Sequence, residues 1–193
     1  MKALTSLLLA FFVAGQLCYA AETNLVANGS FELSQRKPGA PDDWAAAGNA
    51  SVVQQLMLDT GRDGQRCAKL ACTAFDGDGP DFHAMLCQVG KVSVRRGQWY
   101  RLAFWAKVRS FEGADRAVVR VSPDGVKTAE VLTLTPTQSD NAYHLYEVDL
   151  SAFAMTSQFQ ISLAAEIDNV GDQLFLDDIE VVGILAAGHQ PGL

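Results

Sequence analysis

The stretch from Tyr100 to Val108 limits the possible folds more than any other. Its side chains alternate. Tyr100, Leu102, Phe104 and Ala106 fall on one side, and Arg101, Ala103, Trp105 and Lys107 on the other. A period of two with one apolar side is a β-strand with one buried face. The pattern returns in Cys67–Thr73, where Ala68, Leu70 and Cys72 oppose Cys67, Lys69 and Ala71, and in Phe159–Ala165 through Phe159, Ile161 and Leu163. Strand-like runs also cover Val52–Leu58, His83–Val89, Val92–Arg96 before a turn at Gly97, Ala117–Val121, Thr128–Leu134, Tyr143–Leu150 and Leu174–Val182. Turn-forming clusters separate them, such as Thr60-Gly61-Arg62-Asp63-Gly64 and Ser122-Pro123-Asp124-Gly125. No stretch carries a helical period of ordinary length; Asp149–Met155 could make a turn or two. Nine or ten short strands with regular turn signals predict an all-β antiparallel β-sandwich or barrel.

The first twenty residues stand apart. Met1-Lys2, the apolar run Leu7–Ala14 and the small residue Ala20 read as a secretion signal, residues 1–20. The rest divides into one β-domain, 21–184, and a tail without periodicity, 185–193. Nothing after the signal is long and apolar enough to span a bilayer as a helix. The expected location is the periplasm or the medium, with a lipid anchor on Cys18 the lesser alternative. The formal net charge is −7, and removing Lys2 with the signal makes it more negative still. Such an acidic chain is a poor partner for nucleic acid. Cys67, Cys72 and Cys87 remain. Export implies an oxidising compartment, so one disulfide is expected, Cys67–Cys87, with Cys72–Cys87 as its rival.

Both ends of the domain carry carboxylates in strand-like surroundings. Asn24-Leu25-Val26-Ala27-Asn28-Gly29-Ser30-Phe31-Glu32 reads as two short strands about an Asn-Gly turn. Phe175-Leu176-Asp177-Asp178-Ile179-Glu180-Val181 reads as the last strand. A fold that joins the ends would set Glu32 beside Asp177 or Asp178, a seat for a hard cation such as calcium. The alternation does not choose between the two aspartates. Asp76, Asp78 and Asp81 lack a full ligand pattern and read as a solvated loop.

Four motifs in order carry a resemblance: Asn24–Glu32, Trp44 after a proline-containing loop, Gly97-x-x-Tyr100-x-Leu102-x-Phe104-Trp105-Ala106-Lys107, and Phe175-x-Asp177-Asp178-Ile179. Together they resemble the carbohydrate-binding modules of the CenC type, close to families 4, 9 and 22. The resemblance implies a jelly roll of the galactose-binding-like class. It also implies a structural calcium between the first and last strands, and a sheet face or cleft that holds sugar with aromatic rings. Such modules are usually joined to glycoside hydrolases, and no catalytic domain is seen in this sequence.

The ligand on this reading is a carbohydrate. Rings would stack on it while polar side chains bond its hydroxyls. Trp105 is the first candidate, with Arg101, Lys107 and Arg120 on the same face. Tyr143, His144 and Tyr146 come next, then His83 and Gln88. Trp44 and Tyr100 read as core. No Gly-x-Ser-x-Gly, His-Glu-x-x-His or phosphate-binding glycine loop occurs. The expectation is therefore binding without cleavage, set against two alternatives: a docking domain for an envelope protein, and a small glycosidase.

Overall fold

A computed structural model describes residues 23–48, 53–63, 65–74, 84–88 and 92–184. The signal segment, the tail, His83 and the Asp76–Asp81 loop lie outside the described residues. The strands are β1 (Trp44–Gly48), β2 (Val53–Thr60), β3 (Arg66–Ala74), β4 (Ala84–Gln88) and β5 (Trp99–Arg109). They continue as β6 (Arg116–Ser122), β7 (Ala129–Leu134), β8 (His144–Asp149), β9 (Gln160–Glu166) and β10 (Gln173–Ile184). A single 3-10 turn, Pro136–Gln138, interrupts them.

The strands form two five-stranded sheets. The first has the order β1-β4-β9-β6-β7 and the second β2-β3-β10-β5-β8. Every neighbouring pair is antiparallel. Only β2–β3 and β6–β7 are joined within a sheet; every other connection passes from one sheet to the other. The all-β sandwich expected from the alternation is present. In β5, Tyr100, Leu102, Phe104 and Ala106 all point into the core. Ala68, Leu70 and Cys72 of β3 and Ile161 and Leu163 of β9 do the same. Burial of such side chains supplies the main drive to fold, about 1.5–3 kcal/mol for each large one.

The two ends meet, though not as paired strands. Asn28 adopts a left-handed conformation (φ 49°), which asparagine tolerates. The turn docks on the bulge of β10 between Asp177 and Glu180. The Ile179 amide donates to Gly29 O at 2.9 Å, and the Leu25 amide donates to Val181 O at 2.9 Å. The Asn24 side chain closes the seam, donating to Ile179 O (2.9 Å) and accepting from the Val181 amide (3.0 Å). Neither of the two expected short strands forms, and Phe31 also turns left-handed (φ 59°). Its ring is fully buried, 5.3 Å from Trp44.

Two further expectations fail. Val92 is buried in the core, but the stretch before Gly97 is not a strand; the Val92 amide donates to Phe159 O in the neighbouring connection. The disulfide is the larger error. Cys67, Cys72 and Cys87 are all free thiols. Cys67 is in β3 and Cys87 in β4, and these strands lie in different sheets. Cys67 alternates with the inward Ala68, and Cys87 with the inward Leu86, so the two thiols sit on opposite outer faces of the sandwich. Cys72 points into the core between them. Neither Cys67–Cys87 nor Cys72–Cys87 can close.

Candidate binding cleft

The sandwich presents two outer faces, and the candidate ligand residues divide between them. On the second sheet, Trp105 and Lys107 of β5 stand beside Phe175 of β10 and Lys69 of β3, set in register by the strand pairing. The rings on this face are already covered. The Arg62 guanidinium sits 4.5 Å from the Trp105 ring centroid. Lys107 Nζ lies 3.9 Å from the Phe175 centroid and 4.7 Å from that of Tyr143. Lys69 reaches over Phe175 and is bonded to Asp59. Each such contact is worth about 0.5–1 kcal/mol at an exposed site and occupies a face that a sugar would use. Arg101 is engaged by Glu147 (2.7 Å) and Glu180 (3.5 Å).

Tyr146 does not belong to either outer face. It pairs with Phe104 across β8 and β5 and stacks on that ring at 5.7 Å, against the core. The alternation of Tyr143–Leu150 holds the signal for this, since Tyr146 is in phase with Val148, which also packs against the core. His144 is exposed and bonded to Asp140 (2.7 Å). Trp105 does line a groove of about 570 Å³, with Leu145, Ser30, Asp178 and Glu180.

Arg120 lies on the other face. It belongs to β6 of the first sheet, so it cannot share a surface with Trp105 as expected. There it lines a cleft of about 660 Å³ together with Cys87, Gln88, Ser122, Thr128, Gln160, Ser162 and Glu166. Antiparallel register sets this up. Arg120 is opposite Ser162, Ser162 is opposite Cys87, and Ser122 is opposite Gln160. No aromatic side chain among the described residues lines it.

Two uncharged side-chain atoms of residues lining the cleft, Gln88 Oε1 and Ser122 Oγ, are buried with no hydrogen-bond partner among the described residues. Gln88 is 8% exposed and Ser122 9%. Gln88 is held in place by its amide nitrogen, which donates to Asp43 O at 2.7 Å. An unpaired buried acceptor costs about 1–3 kcal/mol, a cost that a small side-chain shift toward a ligand's hydroxyls would relieve. Sequence reasoning named Gln88 and Arg120 but missed Ser122, Gln160 and Glu166. Their only signal was a polar side opposite an apolar one in β6 and β9.

Beside them runs a closed ring of ion pairs. Arg120 donates to Glu130 (2.9 Å) and Glu166 (2.7 Å). Arg116 is bonded to Glu166 and lies 3.9 Å from Glu130. Burial works against the Arg120 charge, but the two glutamates outweigh it and raise its pKa further.

The calcium expectation can be tested against the donor set. Asp177 is 3% exposed, and its oxygens accept only backbone amides, from Arg62 (3.0 Å) and Asp178 (2.9 Å). Burial, aided by the charges of Asp178 and Asp63, pushes its pKa up. Glu32 accepts from the Arg66 amide at 3.0 Å, at the other end of the same β2–β3 turn. Asp178 has turned away in a left-handed conformation and pairs with Arg62 at 3.0 Å. Glu32 and Asp177 thus flank the same turn with oxygens bonded to backbone amides, while Asp178 is paired with an arginine.

A different acidic group is more tightly drawn together. Asp115, Asp168 and Asp172 each bring one oxygen within 4.8 Å of the others, close enough to share a metal ion. It is the one group of three such side chains found among the described residues. Burial, with Asp115 as neighbour, pushes Asp172 up to about 7.

The sequence matches no protein-family model and no curated protein. Solved structures do match. A family 61 carbohydrate-binding module, TmCBM61, solved with β-1,4-galactotriose, is 19% identical, with TM-score 0.59, covering 84% of this chain and 99% of its own. A family 4 module is 15% identical, with TM-score 0.55 and coverages of 82% and 99%. The CBM22-1 xylan-binding domain of Paenibacillus barcinonensis Xyn10C is 13% identical, with TM-score 0.56 and coverages of 86% and 98%. The chain thus has the jelly-roll β-sandwich fold of these carbohydrate-binding modules.

Proposed function

We propose that the protein is an exported, non-catalytic carbohydrate-binding domain whose ligand lies in the cleft of the first sheet. One observation carries this reading: Gln88 Oε1 and Ser122 Oγ are buried in the cleft wall with no hydrogen-bond partner among the described residues. A saccharide presents hydroxyls that donate and accept at once, which suits an amide oxygen beside a serine hydroxyl. Thr128, Gln160 and Ser162 extend the same chemistry along the cleft. The fold shared with modules solved with galactotriose and described as xylan-binding supports the ligand class. On this reading hydrogen bonding does more than ring stacking.

A second reading keeps the sugar on Trp105, in the groove with Leu145 and Glu180. It requires the ligand to use whatever ring surface Arg62 leaves open. The calcium is assigned to Glu32 and Asp177, where it would supply charge to a buried carboxylate and fix the seam between the chain ends.

Titration calorimetry against a panel of soluble oligosaccharides separates the readings. Ser122→Ala and Gln88→Leu are each expected to weaken binding about fivefold to tenfold, the loss of one hydrogen bond. Trp105→Ala is expected to leave it unchanged. The reverse pattern would move the site to the second sheet. A folded wild type that binds no glycan would turn the reading to a protein-docking domain.

A further inference from the structure

We infer that the ion-pair ring Arg116–Glu130–Arg120–Glu166 makes the cleft selective for uncharged saccharide, and that Glu130, outside the cleft, is a residue that sets this specificity. The inference rests on the cleft reading above. Arg120 and Glu166 are the charged groups that line the cleft among the described residues, with side chains only 16% and 11% exposed. A half-buried guanidinium in a sugar cleft would ordinarily attract a carboxylate or sulfate on the ligand, since arginine is built to bond such groups at two points.

Here the oxyanion partners are already supplied. Each glutamate spends one oxygen on Arg120 and the other on Arg116. Two cations and two anions close a neutral ring, in which Arg120 Nη2 serves both glutamates and Arg116 faces them through Nε and Nη1. The other lining groups, Gln88, Ser122, Thr128 and Gln160, are uncharged. An acidic sugar would meet the negative charge of two glutamates already paired with Arg120. A neutral sugar needs only hydrogen-bond partners from the uncharged groups of the wall.

Glu130 and Arg116 do not line the cleft, yet they set its charge. Removing Glu130 leaves the ring at one net positive charge, and removing Arg116 leaves it at one net negative charge. The two changes act in opposite directions, which no general loss of structure would do.

Cys87 reports on this directly. Its thiol lines the cleft, while Cys67 and Cys72 are 0% and 2% exposed. The experiment compares alkylation of Cys87 by iodoacetate, an anion, with that by neutral iodoacetamide. It is read peptide by peptide by mass spectrometry on the full chain at low salt. The ratio of the two rates cancels any change in thiolate fraction and leaves the electrostatic contribution. Glu130→Gln is expected to raise the ratio about threefold and Arg116→Gln to lower it by about as much, the size of one charge acting through a wet cleft. Both shifts should fade at high salt. In parallel, the neutral oligosaccharide that binds best is compared with its hexuronate counterpart. The wild type should prefer the neutral ligand, and Glu130→Gln should narrow that preference. Equal alkylation ratios in the three proteins would overturn the inference, as would a wild type that prefers the acidic sugar. Ratios that move while neither sugar binds would overturn the carbohydrate reading instead.

Discussion

Gly61 is required for closeness rather than for an unusual backbone angle. A Cβ built there would lie 2.5 Å from Arg66 O and 2.6 Å from Asp177 Oδ2. Both neighbours are fixed, one by backbone and the other by burial. Gly61→Ala is expected to destabilise the protein by about 1–3 kcal/mol, the usual cost of overpacking. Urea unfolding would show it as a lower midpoint at constant slope. An unchanged midpoint would mean that the β2–β3 turn yields freely and does not hold Asp177 in place. Gly29 follows the same logic, since its Cβ would collide with Ile179 O. The sequence marks both glycines as turn residues. It does not show that each turn presses on β10, because that contact spans more than a hundred residues of chain.

At the scale of elements, the pH response belongs to the connection between β9 and β10. Asp172 sits there almost fully buried, facing Asp115 from the β5–β6 connection, Asp168 from its own turn, and Glu112 nearby. Burial also raises Asp115. A carboxyl whose folded pKa is raised holds its proton more tightly when folded than when unfolded. The contribution of this pair to stability should therefore be fully present near pH 4 and fall as pH climbs toward 7, leaving the full penalty above that range. Asp172→Asn can still accept the Asn169 amide, a bond of 2.9 Å in the wild type. In a metal-free buffer with chelator, the variant should melt a few degrees above wild type at pH 8 and show no such gain at pH 4. A gain of equal size at both pH values would remove ionisation as the cause. Strands are where the sequence was most legible. The alternation in β3, β5 and β9 gave the inward residues correctly, because a buried face must repeat every second residue. The same alternation is silent about which sheet a strand joins. That silence put Arg120 beside Trp105 and joined Cys67 to Cys87, although each pair straddles the sandwich. β1 was missed because Ala45-Ala46-Ala47 carries no alternation at all.

Over the whole molecule, the chain closes on itself where the Asn24–Glu32 segment docks on the β10 bulge, and the metal assignment belongs to that closure. The juxtaposition of the two ends was legible from carboxylates in strand-like surroundings; the different surroundings of Asp177 and Asp178 were not, because they depend on the bulge and on Arg62. Asp177 is buried with two amide donors and no cation of its own. Glu32 stands across the same turn, bonded to the Arg66 amide. An ion held by both would bind the folded chain and not the unfolded one. At a hundredfold excess over its dissociation constant it would add about 2.7 kcal/mol. For a domain of this size that is a rise of roughly 5–10 °C in melting temperature. Calcium is therefore expected to raise the melting temperature of wild type over a chelated control. Asp177→Asn and Glu32→Gln should abolish the rise, and Asp178→Asn, which loses only a half-exposed pair with Arg62, should keep it. The acidic group of Asp115, Asp168 and Asp172 supplies the rival location. A calcium-dependent rise that survives Asp177→Asn but is lost in Asp172→Asn would place the ion there, at the far side of the β3–β10 pairing, and leave the seam between the chain ends held by its hydrogen bonds alone.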